Sequence, residues 1–125
     1  MGVAAIVLAP IAEETVFRGF VYGGLRQSWP MPLAALVSAA LFGLVHWSFG
    51  IANEALLLVP MQAFFGLTAC LLYERTGSLY PGMAIHAYFN ATIFAATGYL
   101  PIGLPLLAAL LAIVVCLVAP AFRRG

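Results

Sequence analysis

Lysine and aspartate are absent from this chain, and charge of either sign is scarce. Its 125 residues carry five basic and four acidic side chains, so only 7% are charged, where a soluble domain carries about a quarter. A net charge of +1 offers no basic face to a phosphate backbone and argues against a nucleic-acid partner. Without aspartate, chemistry built on an aspartate pair is excluded. Cys70 and Cys116, the two cysteines, both sit mid-run in apolar sequence and read as buried thiols rather than a disulfide framework. The start lacks a basic segment ahead of its apolar stretch and does not read as a signal peptide. No internal repeat, low-complexity tract or linker is visible, and 1–125 reads as a single domain.

What is present is apolar sequence, 65% of the chain, in long runs rather than thin stripes. That pattern predicts an integral, multi-pass membrane protein. The breakers "RQSWPMP", "GIANE", "ERTGS" and "GYLP" divide it into five helices of about residues 3–25, 32–49, 54–73, 79–97 and 102–119. The expected fold is an all-α, polytopic transmembrane bundle. Pro30 and Pro32 would open the second helix, where a missing N–H is harmless. Ser78 is a candidate N-cap for the fourth, with Pro81 in its first turn. Pro10 and Pro60 fall inside helices and should kink them unless neighbouring helices satisfy the freed carbonyls. Five spans place Arg26, Arg75, Arg123 and Arg124 on one side and Glu54 on the other, and the positive-inside rule makes the arginine side cytoplasmic. Trp29, Tyr73 and Tyr80 fall near that boundary, Trp47 and Tyr99 near the opposite one.

Few ionisable residues lie away from helix ends: Glu13, Glu14, Arg18, His46 and His86, joined by the amide of Asn90. Such groups are costly in a membrane and mark functional sites by default. Glu14 and Arg18, four apart, share a helix face and can pair. Glu13 points about 100° away from that face. His86 and Asn90 are also four apart. At 1.5 Å per residue, Glu13, Asn90 and His46 lie roughly 18–22 Å from the cytoplasmic ends of their helices, and His86 about 12 Å. Groups on three helices thus overlap in depth and are expected to converge on one cavity.

A desolvated carboxylate beside a histidine can activate water, and an amide with a histidine N–H can stabilise an oxyanion. That is equipment for hydrolysing an amide with water. The zinc motif HExxH is missing, since "WSFG" follows His46. A serine nucleophile has little support: Ser28 and Ser78 sit at helix boundaries, and Ser38 and Ser48 lack a triad pattern. Phe42 reads as packing beside His46. Gly19 and Gly23, four apart, suggest a close-packing face. Glu54, Glu74 and Arg75 read as solvated loop charges, and Trp47 as an interfacial anchor.

The order "EETVFR", "FGLVH", "HAYFN" resembles the EExxxR, FxxxH and HxxxN motifs of the CPBP family, also called ABI, which includes type II CAAX prenyl proteases and bacterial bacteriocin-processing and immunity proteins. "LYERTGSLYPGMAIHAYFN" looks like the family's segment around its last motif. Each motif alone is weak, whereas all three in order on successive spans are specific. The resemblance implies the family's catalytic core, without its usual N-terminal helices, in a bacterial or archaeal cytoplasmic membrane. It implies an intramembrane endopeptidase in which Glu13 activates water, His46 helps orient it, and His86 and Asn90 form the oxyanion site. Glu14, Arg18 and Phe42 would support these groups. Glu13, His46 and His86 are also candidate ligands for one divalent metal such as zinc, with a fourth position for water; metal dependence stays open. The expected partners are the bilayer and a membrane-protein or peptide substrate. Two other readings are a catalytically inactive scaffold or immunity protein that binds a partner, and a proton-coupled transporter, which the lack of a repeat disfavours. Cleavage that depends on Glu13 separates the protease from both.

Overall fold

The computed structural model describes residues 2–47, 52–96, 98 and 103–118. The expectations for Ser48, Tyr99, Arg123 and Arg124, and for the side chains of Glu54 and Cys116, fall outside the described residues. Every described element is helical, as the all-α reading expects.

Helix α1 runs over residues 4–26, its backbone alternating between wide and ordinary turns. Ala4–Leu8 is π-helical, Ala9–Glu14 α-helical, Thr15–Tyr22 π-helical and Gly23–Arg26 α-helical. Helix α2 is Met31–Trp47, α3 Ala52–Thr76, α4 Tyr80–Ala96 and α5 Gly103–Val118. These match the five predicted segments to within a few residues, because the same breakers operate. Pro32 does lie in the first turn of α2. Gly77, at φ 65°, takes the left-handed conformation that terminates α3. The Tyr80 N–H then donates to Ser78 Oγ (3.3 Å), so Ser78 supports the start of α4 one residue earlier than a strict N-cap.

The chain divides into two compact units, one of residues 1–15 and 75–125, the other of residues 16–74. In the first, the opening turns of α1 pack on α4, and α4 packs on α5; Ile6, Pro10, Pro81, Ala91 and Ala112 are buried. In the second, Tyr22, Ala34, Ala35 and Cys70 form a buried cluster edged by Leu25, Met31, Leu67 and Tyr73. Here α2 and α3 approach closely. A Cβ on Gly43 would lie 2.6 Å from the Val59 carbonyl oxygen, and one on Gly66 would lie 3.1 Å from Ala39 Cα. The close-packing glycines are therefore Gly43 and Gly66, a correction to the expectation for Gly19 and Gly23. Gly19 is exposed, and an added Cβ on Gly23 meets only its own helix, at 3.5 Å.

Among the described residues no helix is long and apolar enough to cross a membrane. Helices α2 and α4 have 17 residues each, a rise of about 25 Å against a hydrocarbon core of about 30 Å.

Candidate functional site

In the first unit the site is built where α4 faces α1. Gly82, His86 and Asn90 are each one turn apart on α4 and so lie along one face. They meet α1 in reverse order. Gly82 lies against Glu14, where an added Cβ would sit 2.8 Å from Oε2. His86 turns its Nδ1 to Glu14 Oε1 (3.1 Å) and its Nε2 towards Glu13 Oε2 (3.6 Å). Asn90 Nδ2 donates to the carbonyl of Ala5 (2.8 Å).

Burial ranks these groups. The side chains of Glu14 and His86 are 1% and 2% exposed, and that of Glu13 is 31% exposed. Glu14 Oε1 and His86 Nδ1 share a buried hydrogen bond, which fixes the orientation of the ring. Nε2 is then the atom presented to Glu13. A buried carboxylate, a histidine it orients and a reachable third group form the layout of an activated acid–base site. Beside it, Ile6, Val7, Pro10, Met83 and Val114 line part of an apolar groove of about 1010 Å³.

The second unit holds the other predicted residues. Arg18 is 1% exposed and lies with Cζ 4.4 Å from the Phe42 ring centroid and 5.9 Å from that of Phe65. Such faces attract a desolvated guanidinium. Phe17 meets Phe42 edge-on at 5.0 Å. The carbonyl of Phe42 accepts from His46 Nδ1 (2.7 Å), and the two rings are 4.6 Å apart. Since a carbonyl only accepts, the neutral His46 carries its lone pair on Nε2. Phe42 thus packs beside His46, as expected, and also fixes its tautomer and covers Arg18.

The predicted site residues therefore fall into two groups: Glu13, Glu14, His86 and Asn90 in one unit, and Arg18, Phe42 and His46 in the other. The sequence identified His86 and Asn90 as a pair but not their partners. It also missed Gly82, although a glycine one turn before a helical histidine is a usable signal for close approach. Glu74 is a correction. Instead of a solvated charge it accepts from the Tyr22 hydroxyl (2.6 Å) and from Arg26 Nε and Nη2 (3.3 and 2.8 Å). Among the described residues no group of three or more His, Cys, Asp or Glu side chains is arranged to hold a metal ion, and the expected set Glu13, His46 and His86 is divided between the units.

These motifs and their setting agree with what the chain is related to. It belongs to the type II CAAX prenyl endopeptidase Rce1-like family, whose model matches residues 1–92. Among curated proteins it is similar to one of Bacillus subtilis (strain 168) named "Putative membrane peptidase YdiL", at 29% identity over 93 residues, 74% of this chain and 35% of that protein. It is also similar to an "Uncharacterized 24.3 kDa protein" of Escherichia coli, at 32% identity over 82 residues, 64% of this chain and 36% of that protein. The chain thus spans about a third of the length of these relatives. No solved structure matches it.

Proposed function

We propose that the chain is the core of a membrane-embedded endopeptidase in which Glu13 activates water for attack on a peptide bond. The observation that carries this reading is His86 set between two glutamates, with Glu14 buried on one ring nitrogen and the more exposed Glu13 facing the other. In the proposed step Glu13 takes a proton from water, and the resulting hydroxide adds to the carbonyl carbon. Glu13 then returns the proton to the leaving amine. Glu14 holds His86, whose Nε2 faces Glu13. The resemblance gives His46 a role in orienting water. The apolar groove lined by Pro10, Met83 and Ala87 of the same two helices suits an apolar substrate segment.

The membrane setting is supported by an inverted distribution of side chains. Phe20, Leu36, Phe64 and Leu110 are more than half exposed, while Glu14, Arg18, Ser38 and His86 are buried with Ala34, Ala35 and Ala91. Small and polar residues inside with large apolar ones outside is the arrangement a lipid solvent favours.

The test is a screen of purified wild-type protein in liposomes against a library of transmembrane peptides, with new amino termini read by mass spectrometry. Glu13→Gln and His46→Ala are run alongside at equal folded fraction. Cleavage by wild type that both variants lose is expected. Cleavage untouched by Glu13→Gln would rule out glutamate-activated water.

A further inference from the structure

We infer that Asn90 is a positioning residue that replaces the backbone N–H missing at Pro10. Its catalytic half rests on the reading above; its structural half does not.

The reasoning starts from hydrogen-bond register. In the π-helical opening of α1 the Ala9 N–H bonds to the Ala4 carbonyl, five residues back. Continued by one residue, the same register sends the N–H of residue 10 to the carbonyl of Ala5. Residue 10 is proline and has no N–H. Ala5 is therefore the carbonyl that this register leaves without a backbone donor. Asn90 Nδ2 stands 2.8 Å from it, reaching across from α4 to a residue 85 positions away. A carbonyl left bare where it is partly shielded from water costs free energy, so the side chain and the proline are matched to each other.

The bond also fixes geometry that the site needs. Asn90 lies one turn beyond His86, and Ala5 lies about two turns before Glu13. With Gly82 against Glu14 at the other end, α4 is tied to α1 on both sides of His86. The clamp sets the rotation and slide of α1, and so the approach of Glu13 and Glu14 to the imidazole.

The matching makes a sharp test, because Pro10→Ala restores the N–H that Asn90 supplies. Thermal unfolding of the full chain in detergent is measured for wild type, Asn90→Ala, Pro10→Ala and the double variant. Asn90→Ala is expected to lower Tm by about 4–8 °C, the size of one lost, partly buried hydrogen bond in a small domain. In the Pro10→Ala background the same change should cost less than half as much. If Asn90→Ala alone fails to fold and the double variant folds, the coupling is equally supported. An equal loss of Tm in both backgrounds, or failure to fold in both, overturns the clamp. Turnover of a quenched-fluorescent peptide that wild type cleaves is the second readout. A clamp predicts that Pro10→Ala recovers part of the kcat lost in Asn90→Ala; a loss of kcat as large in the double variant would show that it does not run through the clamp. If wild type cleaves no peptide, the protease reading fails while the unfolding cycle still decides the clamp.

Discussion

At Gly82 an added Cβ would lie 2.8 Å from Glu14 Oε2, so the absence of a side chain is what lets a buried carboxylate sit against α4. Gly82→Ala should cost about 1–3 kcal/mol by overpacking, measured by chemical unfolding, and most of that cost should vanish in combination with Glu14→Ser, which removes the crowded atoms. Equal costs in both backgrounds would mean that Glu14 does not occupy that space. In the second unit, Phe42 is fully buried and meets Arg18, Phe17, His46 and Phe65 with its ring or carbonyl. Phe42→Ala is expected to destabilise by about 3–5 kcal/mol. The same truncation at Phe64, which is 73% exposed, should stay within about 0.5 kcal/mol in detergent. Comparable losses at the two positions would show that ring burial does not account for the stability of this cluster.

Among the helices, α1 departs furthest from its sequence expectation. Pro10 was legible as a proline whose freed carbonyl needs an outside donor, and Asn90 supplies one. The π register that selects Ala5 was not legible, since it depends on which donor each carbonyl finds after packing. The helix limits were legible because breakers act locally. Glu74 was misread for the opposite reason: its partners Tyr22 and Arg26 lie 52 and 48 residues away, and no spacing rule reaches that far. The hydrogen bond from Glu74 raises the already high pKa of Arg26. A raised pKa on a base contributes stability that is complete below the guanidinium's ordinary range and is lost only above it. Replacing Glu74 with Gln should therefore give a small Tm loss that is flat from pH 7 to 10 and shrinks with added salt. A loss that grows steeply across that range would point to another titrating group.

For the molecule as a whole, the sequence showed a hydrophobic chain with a handful of polar groups, and the structure sorts those groups into two units without a long apolar helix among the described residues. Membrane residence therefore rests on the exposed Phe20, Leu36, Phe64 and Leu110 and on kinship with a protein named as a membrane peptidase. Expressed protein is expected to stay in the pellet after alkaline carbonate extraction; release into the supernatant would contradict integral insertion. The motifs were legible because the chemistry needs those residue types, whereas their grouping depends on packing between distant helices. The central claim is that Glu13 is the group that activates water. It is tested most directly by the single-turnover rate for one cleaved peptide, with wild type and Glu13→Gln compared at equal folded fraction. Loss of a general base lowers such a rate by about 10²–10⁴-fold, and a fall of that size is expected, with Tm nearly unchanged. A Glu13→Gln rate within a few fold of wild type would contradict it.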